Sequence, residues 1–196
     1  EKEIFSLRPI ADQLKMEMCR QGAYELSTRD LDKLMEKIVT GTDPSGHAIV
    51  NRNLVGRNAS VIAATIGLKV PDETRILLAE VSPTHPLVVI EQLMPVIPFS
   101  RVNTIEEAFD WALKVEHGFY HTSIMHSRNV ENLSRMASIV NTSIFIKNAP
   151  SYAGLGMGGE GYTTFTIASP TGEGITSART FTRQRRCTLA DYFRII

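Results

Sequence analysis

Apolar positions recur at helical spacing through the first third of the chain, then give way to short unbroken apolar runs. Ile4, Phe5 and Leu7 read as the end of a strand, and Ile10, Leu14 and Met18 share a helical face that Gly22 stops. Ser27 and Thr28 open a second helix with the stripe Leu31, Leu34, Met35 and Ile38, broken by the turn formers between Gly41 and Gly46. Val55, Ala59, Ile62 and Ile66 predict a third helix ending near Gly67, with Pro71 beyond. From Ile76 the period changes. Ile76–Ala79, Leu87–Ile90 and Val96–Phe99 are continuous apolar runs, as expected of strands buried on both faces.

Thr104 and Glu107 form a capping box, so a helix follows that buries Ile105, Ala108, Phe109, Ala112 and Leu113 and ends at Gly118. Thr122–Met125 begins a strand. Asn129 caps a helix bearing Val130, Leu133, Met136, Ala137 and Val140, and Ile144–Ile146 closes the series. Strands alternating with helices over short loops predict right-handed crossovers in a parallel sheet, hence an α/β layered domain. Beyond Lys147 the texture changes to a glycine-rich loop, Tyr152–Gly161, a β-branched run, Thr163–Ile167, and a second loop, Pro170–Gly174. The tail reads as a basic strand in which Arg179, Arg183, Arg185 and Arg186 accompany Thr180, Phe181 and Thr182.

Composition narrows the function classes. The chain has 196 residues, 43% hydrophobic and 21% charged, enough to bury a sizeable core. Basic and acidic residues number 21 each, so no net charge draws it toward nucleic acid or a membrane surface. No 18-residue apolar run occurs, and Glu1-Lys2-Glu3 does not open a signal peptide. Two distant cysteines suggest neither a disulfide framework nor a zinc site and fit a reducing cytoplasm. Cys19 lies beside the first helical stripe and is expected to pack in the core. Cys187 follows two arginines, but the sequence places no base beside it.

Gly154–Gly159 matches G-x-G-x-x-G, yet the preceding strand ends too far upstream and a β-branched run follows, so a turned loop beside a site is the better reading. His117 and His121 have the i, i+4 spacing of a metal pair, but Gly118 breaks the helix between them and no acidic ligand follows nearby. No metal site is expected. His121 alone reads either as a strand-start histidine bonded to backbone or as a proton-transfer group. His47, His85 and His126 fall in loops or at strand edges without a partner in sequence. No G-x-S-x-G elbow supports a hydrolase triad.

Glu91-Gln92-Leu93-Met94-Pro95-Val96 resembles the aldehyde dehydrogenase element E-x-F-G-P-V. Asn148-Ala149-Pro150-Ser151-Tyr152-Ala153-Gly154, the segment Gly158–Ala168, Pro170–Gly174, Ser177–Arg183 and Arg185-Arg186-Cys187 together resemble the C-terminus of the CoA-acylating propionaldehyde and acetaldehyde dehydrogenases of bacterial microcompartments. His121–Ser127 resembles a strand of the same family. This resemblance implies a three-layer, parallel-sheet catalytic domain of aldehyde dehydrogenase type over residues 1–174, and a C-terminal strand serving homo-oligomerisation over residues 175–196.

It also implies a chemistry in which a cysteine thiolate attacks a short-chain aldehyde, hydride passes to NAD, and coenzyme A takes the acyl group from the thioester. The family's nucleophile precedes a Glu-Lys-Glu like that at Glu1, so neither Cys19 nor Cys187 matches it. The chain is expected to lack both that cysteine and the nucleotide-binding domain. By position, Glu91 matches the glutamate that accepts hydrogen bonds from the nicotinamide ribose. Leu93 stands where the family's aromatic packs on the nicotinamide, and Met94 where it has glycine. His121 matches a histidine near the reacting cysteine, suited to take a proton from a thiol. The expected partners are the aldehyde, CoA and further copies of the chain, in the cytoplasm or a microcompartment, with no nucleic acid or membrane. A non-catalytic α/β assembly or binding module is the alternative.

Overall fold

The computed structural model describes residues 2–159, 176–188 and 190. The chain divides into two compact units, Glu1–His117 and Gly118–Ile196. In the first, β1 (Ile4–Leu7) runs into α1 (Arg8–Arg20), β2 (Ala23–Glu25) and α2 (Thr28–Ile38). A hairpin of β3 (Val39–Thr42) and β4 (Ala48–Val50) follows, then α3 (Ala59–Ala64), β5 (Ile76–Glu80), α4 (Pro86–Val89), β6 (Val96–Val102) and α5 (Ile105–Glu116). Four strands form one sheet in the order β1-β6-β5-β2, with every pair parallel.

Alternation along the central strands builds two core layers. Leu77 and Ala79 of β5 and Val96 of β6 join Leu31, Leu34 and Ile38 of α2 and Ile62 of α3. Leu78, Ile97 and Phe99 point the other way and meet Ala11 of α1. Both faces are thereby covered, which is why β5 and β6 read as unbroken apolar runs. The result is the three-layer α/β arrangement expected from the sequence.

Helix ends follow the local chemistry. Ser27 Oγ accepts the Asp30 amide at 3.1 Å, and Thr104 Oγ1 accepts the Glu107 amide at 3.1 Å. The Glu107 carboxylate reaches back to the amide of Asn103 at 2.7 Å, one residue before the cap. His117 and Gly118, both at positive φ, end α5 where a stop was expected.

Several expectations are corrected. Leu87–Ile90 is not a strand. Pro86 presets the first helical turn and His85 Nδ1 accepts the Leu87 amide at 3.1 Å, so the run coils into α4 with Leu87 and Val88 buried. On α1 the buried residue is Ala11, while Ile10 and Leu14 face solvent, because the small side chain allows close approach to the sheet. Cys19 is exposed rather than packed in the core. The third helix begins only at Ala59, leaving Val55 exposed. In α5, Val115 is buried and Leu113 exposed, and in α6 (Val130–Val140) Val130 is exposed.

The second unit pairs β7 (Thr122–Met125) with β8 (Ile144–Lys147) in parallel, with α6 as the crossover. These two strands form their own sheet instead of continuing the larger one. Ser151–Leu155 then makes a 3-10 turn against Ile144 and Ile146. A Cβ at Gly154 would stand 2.6 Å from Ile144 Cγ2, so close packing accounts for this glycine. The run Thr163–Ile167 and the loop Pro170–Gly174 lie outside the described residues. In the tail, Ala178–Phe181 forms a 3-10 turn and no strand occurs among the described residues. Thr180 Oγ1 accepts the Ser177 amide at 3.1 Å, a local bond that competes with extended pairing.

Candidate active site

The segment from Ile90 to Pro95 leads from α4 into the start of β6. Burial keeps the His85 imidazole below its ordinary pKa, with Asp32 opposing, so the ring stays a neutral acceptor for the cap. Along the loop, Glu91 and Leu93 are exposed while Gln92 and Met94 are buried. Leu93 takes φ 54, a left-handed conformation costly for a branched side chain, and its carbonyl accepts the Gly56 amide at 3.1 Å. It is 60% exposed, whereas Met94, standing where the resembled motif has glycine, is sealed into the core. One loop therefore presents an ionisable carboxylate and an apolar side chain to solvent, two residues apart.

The first residues of the chain are fastened to this loop. Gln92, 1% exposed, donates from Nε2 to Val96 O at 2.8 Å and to Lys2 O at 3.4 Å. Lys2 Nζ donates to Val115 O at 3.3 Å and stands 3.5 Å from the Glu3 carboxylate. Burial pushes Glu3 up to about 7; Lys2 opposes this and the negative charge of Glu91 adds to it. Glu3 and Gln92 escaped the sequence reading, because neither residue type in an apolar setting announces a contact between segments 90 positions apart.

The ends where ligands usually enter an open α/β sheet are differently occupied. Glu25 and Glu80 close β2 and β5, and they share Lys15, while Arg101 near the end of β6 bonds Glu80 at 2.7 Å and also pairs with Asp12. These charges satisfy one another, so the opposite edge, with its exposed Glu91, is the better candidate for binding.

His121 belongs to the second unit and immediately precedes β7. Its carbonyl accepts the Ile144 amide at 3.2 Å, and the preceding Tyr120, at φ 54, accepts from Ser143 at 2.8 Å. The half-buried ring places Nδ1 2.7 Å from Thr122 Oγ1. A pinned backbone with an oriented, partly accessible imidazole suits proton transfer; a backbone-bonded ring was the other reading. At the far end of the same strand pair, Asn148 clamps Ser127 through both amide atoms, at 2.8 and 2.9 Å. This gives a structural task to the first residue of the Asn148-Ala149-Pro150 motif.

The glycine pattern from Gly154 does not follow directly on a strand, since β8 ends at Lys147. Its first glycine lies inside a 3-10 turn, and a Cβ at Gly159 would press to 2.6 Å from Ala153 O. Among the described residues no three His, Cys, Asp or Glu side chains cluster as metal ligands, and no helix is long and apolar enough to cross a membrane.

The first unit, α/β layered, carries an exposed Glu at the entrance to a central strand, and the second presents an oriented histidine. No family model matches the chain. The acetylating acetaldehyde dehydrogenase of Salmonella typhimurium is 49% identical over 196 residues, all of this chain and 42% of that protein. The propionaldehyde dehydrogenase of Rhodopseudomonas palustris, solved with bound propionyl-CoA, superposes with TM-score 0.87 at 45% identity over 96% of this chain and 41% of its own. A propionaldehyde dehydrogenase from the fucose utilisation microcompartment of Clostridium phytofermentans superposes at 0.86, with 41% identity over 98% of this chain and 43% of that one. Along its whole length the chain is homologous to part of the acetylating acetaldehyde and propanal dehydrogenases. It spans about 42% of the length of the curated relatives it matches.

Proposed function

We propose that this chain is part of an NAD-dependent, CoA-acylating dehydrogenase that converts a short-chain aldehyde to its acyl-CoA. The observation that carries this reading is the match to acetaldehyde and propionaldehyde enzymes along the whole chain. NAD, when bound, supplies the hydride acceptor. The residues present fit it: the exposed Glu91 carboxylate is an acceptor-only group suited to ribose hydroxyls, and the exposed Leu93 offers an apolar surface to the nicotinamide. His121 takes the proton from the cysteine or CoA thiol through its accessible ring, while Thr122 holds the orientation. The nucleophilic cysteine comes from the part of such an enzyme that this chain does not span, since Cys19 sits on the outer side of α1 and Cys187 in the tail.

Residues 175–196 serve contacts between copies. The support is an exposed, basic surface at Arg179, Arg183, Arg185 and Arg186, with Phe181 73% exposed. The site of action is the cytoplasm or the interior of a microcompartment, in keeping with the source of one structural relative. The test is an assay of the full-length enzyme with propionaldehyde. Beyond a single turnover per active site, NADH should form only when NAD and CoA are both supplied, and sustained NADH formation without CoA would refute the acylating reaction.

A further inference from the structure

The Glu3 carboxyl has no task in the chemistry above, yet it is built into the loop that carries Glu91. Its side chain is 18% exposed and its Oε2 is fully sealed, with the Lys2 ammonium 3.5 Å away, too far for a good hydrogen bond. Oε1 of Gln92 is likewise sealed without a donor, although Nε2 of the same amide spans from Val96 O to Lys2 O. Each buried acceptor without a donor is costly, and at Glu3, on the segment whose Lys2 carbonyl accepts from Gln92, a proton removes that cost. We propose that Glu3 is a positioning residue, which holds the Lys2–Glu3 segment and the Gln92 side chain together and so fixes the loop presenting Glu91. The role in nucleotide binding rests on the function proposed above, whereas the docking itself does not.

The charged groups acting on Glu3 are Lys2 and the amino terminus on its own segment, which favour the ionised form, and Glu91 on the loop, which opposes it. Burial outweighs Lys2, so the folded chain keeps the proton up to about pH 7, against 4.5 for an ordinary glutamate. A group raised in the folded state stabilises it fully below the unfolded value and loses that contribution as pH rises to the folded one. Docking of the loop should therefore weaken between about pH 4.5 and 7 and change little above.

Hydrogen exchange over residues 90–96 of the intact protein reads this directly, with rates corrected for the intrinsic effect of pH. In the wild type the protection should fall roughly tenfold or more between about pH 5 and 7.5. Glu3→Gln, neutral at every pH, should show a flat profile, and Glu3→Ala should be less protected throughout. The same pH dependence in wild type and Glu3→Gln would overturn the proposal. A flat Glu3→Gln profile in an enzyme whose NAD dependence ignores Glu91 would leave the docking intact and remove only the nucleotide-binding reading.

Discussion

The two units solve the same problem at different scale. The first covers a four-stranded parallel sheet with helices on both faces, and Leu77, Leu78, Val96 and Phe99 in its central strands are wholly excluded from water. The second, among its described residues, pairs two four-residue strands over a core of Ile144, Ile146 and Ala153. A two-stranded sheet is marginal unless something packs on it, so close fits matter more there than buried volume. The Glu91 loop is rooted in the larger core through Met94. His121 depends instead on the register of a single strand pair.

Truncation should expose that contrast most strongly. Phe99→Ala removes a ring from the deep core and should cost about 3–5 kcal/mol, seen as a lower urea midpoint. In the second unit the sensitive change is an addition: Gly154→Ala should cost about 1–3 kcal/mol by pressing on Ile144. A neutral Gly154→Ala would show that this strand pair yields easily.

His121→Asn in the complete enzyme should lower turnover by roughly 10²–10⁴ with little change in melting temperature. A structural histidine gives the reverse, a lower melting temperature with near-normal turnover in the folded fraction. Glu91→Gln should weaken productive NAD binding by about 1–3 kcal/mol, the range for a hydrogen bond to a charged group. An unchanged NAD dependence would remove Glu91 from the site.

The smallest effect concerns acid. Hydrogen bonds from Arg101 hold Asp12 and Glu80 below their ordinary values, with Lys15 also lowering Glu80. Groups lowered on folding stabilise above their unfolded values, 3.8 and 4.5, and lose that contribution as pH falls through the folded ones. Arg101→Ala should therefore flatten the loss of stability on acidification, by the small amount expected of solvent-screened pairs. Unfolding midpoints collected from neutral pH down to about pH 3 would show it, and an unchanged acid limb would dismiss the network.

Where periodicity and burial coincide, the sequence was readable. The stripe Leu31, Leu34 and Ile38 is buried as spaced, and Thr104 and Glu107 cap α5. Leu87–Ile90 misled because four apolar residues look alike in a buried strand and a buried helical turn, and Pro86 was the signal that separates them. Of the α1 stripe Met18 packs on the core while Ile10 and Leu14 do not, because Ala11, too small to mark a face, is the residue that meets the sheet. The hairpin of β3 and β4 and the short β2 carry little apolar periodicity of their own. Glu91, Leu93 and His121 came from motif resemblance, whereas Glu3, Gln92 and the Arg101 network needed long-range geometry that no local pattern encodes.

Product identification distinguishes acyl transfer to CoA from simple aldehyde oxidation. The full-length enzyme is incubated with propionaldehyde, NAD and CoA, and the products are quantified by mass spectrometry alongside NADH absorbance. Propionyl-CoA and NADH should form in equal amounts, with neither formed when CoA is omitted under steady-state conditions. Free propionate formed at the same rate without CoA would contradict it.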